Sequence, residues 1–274
     1  MRRKIIIVLL SLLLLAVGGA TVCDMVVSSN GQGRLNDSVD SIPHRNVGDF
    51  TRTEPGLLTV SYIMTEYGVL IRLKPDMRRL QMDMRCGEIP TAENDSIILV
   101  FAGAFTGTDF NKGHTNVAGD HVSSGKRDRG YGCRRNTGAF TWSARSGARF
   151  FYKDYSERLD AAAREGGMGF AQEMMIHRGA AVPTTRPPGN ENIFRALCLD
   201  GDGTLAVYES EVCMTFGNFI EALLTQGVQE ALYTDMGEGW NYCFYRTSRN
   251  DVAPRYLHTV PLPYASNFIT IKIK

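Results

Sequence analysis

An excess of charge of one sign is missing from this chain. Its 30 basic and 29 acidic residues leave a formal net charge of +1 over 274 residues. A balance this close to neutral gives no electrostatic footprint for nucleic acid. Spaced cysteine pairs are missing as well. None of the six cysteines stands in a Cys-x-x-Cys, so a zinc or redox motif of that kind is excluded. Beyond the N-terminus no second long apolar run occurs, and no transmembrane segment is expected. Long internal repeats are absent, and low complexity is confined to the N-terminal region.

What is present at the start reads as an export signal. Arg2, Arg3 and Lys4 precede an almost unbroken apolar run from Ile5 to Val17, and Gly18-Gly19-Ala20 supplies small residues near a cleavage point. Residues 1–22 are assigned to this signal, 23–50 to a flexible arm rich in Ser, Asn, Asp and Gly, and 51–274 to a folded domain. Two outcomes fit Cys23: lipidation after a relaxed lipoprotein signal, or ordinary cleavage after Ala20 with Cys23 near the new terminus. Either places the protein outside the cytoplasm, periplasmic or at the cell surface, with membrane contact only through a lipid on Cys23. Losing Arg2, Arg3 and Lys4 takes 30 basic residues to 27 against 29 acidic, about −2. Export permits disulfides among Cys86, Cys133, Cys198, Cys213 and Cys243, although an odd number leaves at least one thiol free.

Within 51–274 strand patterns dominate. Leu57 to Met64 and Val69 to Leu73 read as a hairpin across Tyr67-Gly68, Leu80 to Met84 as a half-buried strand, and Ile97 to Phe101 as a central one. Leu257 to Leu262 and Phe268 to Lys272 are late strands. Ser156 to Arg164 is a short helix. A second begins at Thr215, where Phe216, Phe219, Ile220, Leu223 and Leu224 form one apolar stripe between a Thr N-cap and Gly227. Val182 to Asn192 is a Pro/Gly/Asn-rich surface loop. The expected class is α+β: mainly antiparallel sheets with a few packed helices, in a single domain.

Two stretches carry candidate chemistry. From Arg195 to Trp240 the order is strand, tight turn, strand, helix, strand and an acidic Gly-rich loop. It delivers Asp235 to a strand end, with Glu238 close behind and Arg195 opening the same unit. A carboxylate on a rigid strand end, followed by glycines that admit a ligand to the backbone, is a common way to build a site. Asp200-Gly201-Asp202-Gly203 reads as a hairpin turn, since no bidentate Glu follows at calcium-loop spacing. The other stretch, Thr108 to Arg135, is a long polar loop holding Asp109, His114, Asp120, His121, Lys126, Arg127 and Arg135. A loop of that length between strand-like runs favours function. His114, Asp120 and His121 are open to three roles: a metal or proton-transfer group, substrate contact, or plain loop structure. Their spacing matches no compact metal motif. Arg135 and Asn136 add candidate phosphate contacts, and Trp240, Tyr242 and Tyr245 either stack on sugar faces or cover the core.

Three segments resemble the phosphodiester glycosidase family, whose vertebrate members uncover mannose 6-phosphate by removing an N-acetylglucosamine cap. Ile98-Leu99-Val100-Phe101-Ala102-Gly103-Ala104-Phe105 resembles the family's strand ending in Asn-Gly-Gly-Phe-Phe. Ala171-Gln172-Glu173-Met174-Met175-Ile176-His177-Arg178-Gly179 resembles its Gln-Ser-Gly-Pro-Leu-Leu-Val segment. Arg195 to Trp240 resembles its C-terminal block, in which order and spacing agree throughout. The chain departs from the pattern at Ala102, where the family has Asn, and at Met236 and Glu238, where it has Gly, so it resembles a divergent branch.

The resemblance implies hydrolysis of a sugar C1–O bond with a phosphodiester leaving group. The departing phosphate monoester has a second pKa of about 6, so it leaves easily. Such a site needs a cation for the phosphate and a carboxylate for water or the anomeric carbon. Arg195 is the expected phosphate holder and Asp235 the carboxylate, with Glu238 or Glu173 as a second. His114, Asp120, His121, Arg135, Asn136, Gln172, Glu173 and Trp240 are the expected contacts to a carbohydrate phosphodiester. No cofactor is expected, although the His/Asp loop leaves a divalent metal open. The other reading is a non-catalytic glycan-binding surface protein on the same fold, which the Ala102 departure favours.

Overall fold

The computed structural model describes residues 56–106, 117–130, 132–237, 241–251, 253–258 and 266–274, within the compact unit Phe50–Lys274. The expected signal and arm, Cys23, His114, Glu238 and Trp240 lie outside the described residues.

Apolar–polar alternation and β-branched runs build three antiparallel sheets. The largest runs β1 (Leu58–Thr65), β2 (Gly68–Pro75), β14 (Leu205–Ser210), β13 (Arg195–Leu199), β16 (Glu230–Tyr233), β10 (Met174–His177), β11 (Ala180–Ala181). The second runs β18 (Arg255–His258), β17 (Cys243–Tyr245), β4 (Ile97–Ala102), β19 (Asn267–Ile273), β3 (Leu80–Cys86). The third runs β6 (Lys126–Arg129), β5 (Asp120–Ser123), β9 (Met168–Gln172), β7 (Gly138–Ser143), β8 (Gly147–Tyr152). A short pair, β12 (Glu191–Asn192) with β15 (Met214–Thr215), stands apart. The expected first hairpin forms, in register from Leu58 opposite Pro75 to Thr65 opposite Gly68.

Inward side chains from all three sheets meet in one core: Leu73, Leu197 and Leu232 from the first, Leu99, Phe101 and Ile271 from the second, Phe140, Met168 and Phe170 from the third. Helix α1 (Ser156–Arg164) sets Leu159 against Val122 and Ala139 on the outside of the third sheet. Helix α2 (Phe216–Thr225) covers the outer face of the first with Phe216, Phe219, Ile220 and Leu223. Each fully buried side chain of this kind contributes about 1.5–3 kcal/mol. The Thr215 hydroxyl caps α2 by accepting from the Asn218 N–H at 3.1 Å. Gly227, at φ +76, takes the left-handed turn beyond its end.

Two expectations are corrected. The architecture is mostly antiparallel β rather than α+β with packed helices. Among the described residues only α1 and α2 are helical, and each merely covers the outer face of a sheet. The polar stretch 108–135 also contains a hairpin, β5–β6, with Asp120 opposite Arg129 and Ser123 opposite Lys126. Lys126-Arg127-Asp128-Arg129 conceals its strand because it lies at a sheet edge, where charged side chains discourage pairing with another chain.

One extended run changes sheets. β9 belongs to the third sheet and β10 to the first, and Glu173 is the single residue between them. Corners of this kind place a residue's side chain between sheets rather than on one face. The same junction gathers the ends of β4 and β16.

Candidate active site

Asp235 follows the last residues of β16 and is docked by its own backbone: its N–H donates to the Gly103 carbonyl at 3.0 Å. Its carboxylate accepts two main-chain N–H groups, Thr106 on Oδ2 at 3.2 Å and Gly237 on Oδ1 at 3.1 Å. Burial raises its pKa above the usual carboxylate range, while these hydrogen bonds pull the other way. The side chain is therefore held rigidly, nearly out of water, in a state from which it readily takes up a proton.

The β4 end that supplies these contacts is clamped by a side-chain amide. Asn267 accepts from the Ala104 N–H at 2.7 Å and donates to the Ala104 carbonyl at 2.9 Å. Ala102 thus lacks an amide, but the strand end does not. Gly103 suits this close approach, since a Cβ would lie 2.9 Å from Ile269 Cδ1 and 3.0 Å from Asn267 Oδ1 and would force both side chains to shift. Gly103→Ala is expected to cost about 1–3 kcal/mol through overpacking, read as a lower midpoint in chemical denaturation with an unchanged slope.

Glu173 enters from the sheet corner, and its side chain is 4% exposed. Oε1 accepts from the Thr184 hydroxyl at 2.7 Å, and Oε2 from Arg186 Nε at 2.8 Å. Its carbonyl accepts the Tyr233 N–H at 2.9 Å, which ties the corner to the strand that delivers Asp235. Gln172 is fully buried; its Oε1 accepts from the Glu173 N–H at 2.8 Å, and its Nε2 has no hydrogen-bond partner among the described residues.

Arg186, which reads from the sequence as part of a surface loop, is the unexpected member. Its guanidinium stacks 4.3 Å from the Tyr233 ring centroid and 4.4 Å from that of Phe216, with Phe105 and Phe194 both at 5.9 Å. Nε is committed to Glu173, and Nη2 is buried without a hydrogen-bond partner among the described residues. The Tyr233 phenol is pushed up to about 12 by burial and by the nearby Asp235 charge, against the opposing pull of Arg186. That phenol therefore neighbours both the acid and the cation. No short-range pattern announces Arg186, because the four rings come from four separate segments.

Arg195 takes a different place from the one expected. It is fully buried, and its Nε and Nη2 each lie 2.6 Å from Glu209 Oε2. Nη2 also donates to the Asn241 carbonyl at 3.1 Å. Arg195 and Glu209 face each other directly across the β13–β14 hairpin. Nε and Nη2 are thus engaged within the fold, Nη1 is buried without a hydrogen-bond partner among the described residues, and no hydrogen bond or ion pair joins the guanidinium to Asp235 among them. The signal for this pairing lies in the sequence: counting back from the Asp-Gly turn along both strands sets Arg195 opposite Glu209.

The remaining candidates divide. Asn136 belongs to the rim: its Nδ2 donates to the Ala118 carbonyl at 2.9 Å, Ala118 bonds the Phe105 carbonyl through its own N–H at 2.7 Å, and Asn136 Oδ1 is buried without a partner among the described residues. Asp120 is paired with Arg127 at 2.6 Å. His121 is buried, with Nδ1 3.1 Å from the Gly119 carbonyl. Both serve the third sheet. Arg135 is exposed. Tyr242 and Tyr245 are buried in apolar clusters and cover the core. Among the described residues no three His, Cys, Asp or Glu side chains gather as a metal set. Cys86, Cys133, Cys198 and Cys243 are free thiols.

No family model matches the sequence, and no curated protein does. Solved structures do. The zebrafish N-acetylglucosamine-1-phosphodiester alpha-N-acetylglucosaminidase catalytic domain, auto-inhibited by its pro-peptide, superposes with a TM-score of 0.52 at 16% identity, covering 79% of this chain and 82% of that one. A hypothetical protein from Synechocystis superposes with a TM-score of 0.55 at 10% identity, covering 79% of this chain and 62% of that one. At such identities the similarity is one of fold: this chain has a distant fold relationship to a hydrolase catalytic domain.

Proposed function

We propose that the protein is a hydrolase that cleaves the glycosidic bond of a sugar 1-phosphodiester. One observation carries the reading: two nearly buried carboxylates, Asp235 and Glu173, share a strand junction with buried polar atoms on Gln172, Asn136 and Arg186 that have no hydrogen-bond partner among the described residues. Buried polar groups are normally satisfied, so a concentration of unmet ones marks a place where a polar ligand belongs.

The roles follow from the partners. Glu173 fixes Arg186 through Nε and leaves Nη2 to hold a phosphate oxygen, which makes Glu173 a positioning residue. Asp235 either accepts a proton from water as that water attacks C1, or attacks C1 itself to form a glycosyl ester that water then hydrolyses, freeing the carboxylate; in both cases the C1–O bond breaks and the electron pair leaves with the phosphate monoester. Protonation of that leaving group is not required near neutral pH. Export is part of the proposal, on the strength of Arg2-Arg3-Lys4 and the Ile5–Val17 run, with lipidation of Cys23 and ordinary cleavage after Ala20 as its two forms.

The test is release of free sugar from an N-acetylglucosamine-1-phospho-sugar by the purified protein in 18O-water. Label in the sugar supports C1–O cleavage. Label in the phosphate means P–O cleavage and overturns it, and binding without turnover points to a glycan-binding protein instead. Arg186→Gln is expected to raise KM by about 10–100-fold, the loss of one charge-assisted phosphate contact, with a smaller change in kcat; an unchanged KM would remove Arg186 from the phosphate site.

A further inference from the structure

We infer that a groove at the far end of the largest sheet is a second binding site, for an acidic oligosaccharide. Its volume is about 970 Å³, at the upper end of what a drug-sized ligand occupies and roomy enough for more than one sugar ring. Leu199 lines it, and Leu199 pairs with Glu230 at the start of β16, whereas Asp235 follows the other end of that strand. The length of β13 therefore separates the groove from the candidate active site, roughly 13 Å at 3.3 Å per residue. The proposal does not depend on the hydrolytic reading.

The lining has the chemistry of a saccharide site with a positive rim. Trp142, half-buried against the core, lines it and brings an aromatic ring of the kind that packs on sugars, while the hydroxyls of Ser143 and Thr204 are committed to Glu165 and Asp202. Four basic side chains, Lys74, Arg78, Arg79 and Lys274, surround it, against the single carboxylate side chain of Asp76. Asp76 is taken up by Arg78 at 2.8 Å, and Lys74 by Asp202 at the same distance. Arg79 is exposed and has no ion pair among the described residues. With those pairs formed the positive excess rests on Arg79 and on Lys274, whose Nζ donates to the Arg78 carbonyl at 2.7 Å, in a protein whose total charge is +1. It matches a chain of spaced carboxylates better than a nucleic-acid backbone, and the groove's one tryptophan is no ladder of stacking rings for bases.

The sequence has two tryptophans, so a full-length Trp240→Phe variant makes Trp142 the sole indole reporter. Titration with an oligogalacturonate is expected to give a saturable change in its emission. Adding Arg78→Glu and Arg79→Glu, both exposed, is expected to weaken binding about tenfold or more, and high salt to weaken the parent in the same direction. Adding Asp235→Asn is expected to leave the titration unchanged even where hydrolysis is lost, which separates this site from the catalytic one. Three results would overturn the proposal: no saturable change with the oligogalacturonate, equal binding of it by the charge-reversed variant, or tighter binding of a single-stranded oligonucleotide.

Discussion

Replacing Asp235 by asparagine is expected to lower kcat on an N-acetylglucosamine-1-phospho-sugar by roughly 10²–10⁴-fold, the range of a lost proton-transfer group. The substitution preserves shape and removes the charge. Asp235 accepts the Thr106 N–H on one oxygen and the Gly237 N–H on the other. An amide can serve only one of these donors, and the lost bond costs about 1 kcal/mol. Loss of activity then reports chemistry rather than unfolding. Burial also predicts the pH profile. The pKa of Asp235 is raised in the folded protein, so activity that needs the carboxylate falls, as pH is lowered, at a higher pH than an ordinary aspartate would dictate. The stability linkage runs the opposite way to activity: the folded state favours the protonated acid, so the contribution of this group to stability is largest below the unfolded value and declines as pH rises through the folded one. Retention of more than about a tenth of wild-type kcat by the variant would remove Asp235 from the reaction, since even the low end of general-acid/base effects exceeds that.

Glu209→Ala is expected to be the most destabilising single change. It leaves the fully buried Arg195 guanidinium without its carboxylate. Breaking a buried pair from one side costs about 3–5 kcal/mol, most of it the penalty of an uncompensated charge. For a domain of this size each kcal/mol moves the midpoint about 2–4 °C, so thermal unfolding should shift down by about 6–20 °C. Removing both partners at once separates a structural role from any other. Arg195→Met with Glu209→Leu replaces the pair by apolar volume and should recover most of the loss. If the double replacement restores stability and hydrolysis together, Arg195 has only a structural role. If stability returns while activity does not, the guanidinium acts on the site as well.

These two predictions differ in how far the sequence alone supports them. Asp235 is legible as a carboxylate at a strand end because β16 is a short apolar run stopped by Gly237 and Gly239, a purely local pattern. Arg195 is legible as the head of a strand and, by counting back from the Asp-Gly turn, as the residue opposite Glu209, but its burial is not. That it turns inward to Glu209 follows from the hairpin register, which the Asp-Gly turn sets, and from the arrival of Asn241 and Cys243 beside it, which no local pattern contains. Arg186 is harder still. Its loop, Pro183-Thr184-Thr185-Arg186-Pro187-Pro188, reads as solvent-exposed, and only the arrival of Phe105, Phe194, Phe216 and Tyr233 turns it into the pin of an aromatic cage. The class expectation failed for a related reason: two helical periodicities are plain in the sequence, but whether helices form a layer or merely cover sheets is decided by what the sheets pack against.

By itself the sequence determined the period-2 strands, the apolar stripe and Thr cap of α2, the antiparallel hairpins and the delivery of an acid to a strand end. All of these depend on residues within a few positions of one another, where backbone geometry leaves few choices. Only the tertiary structure decided which charges are buried, which arginine pairs with Glu209 and which is stacked among aromatic rings, and where a groove opens between sheets. Burial and ion pairing depend on residues that lie far apart in the chain and meet only when the three sheets close around their common core.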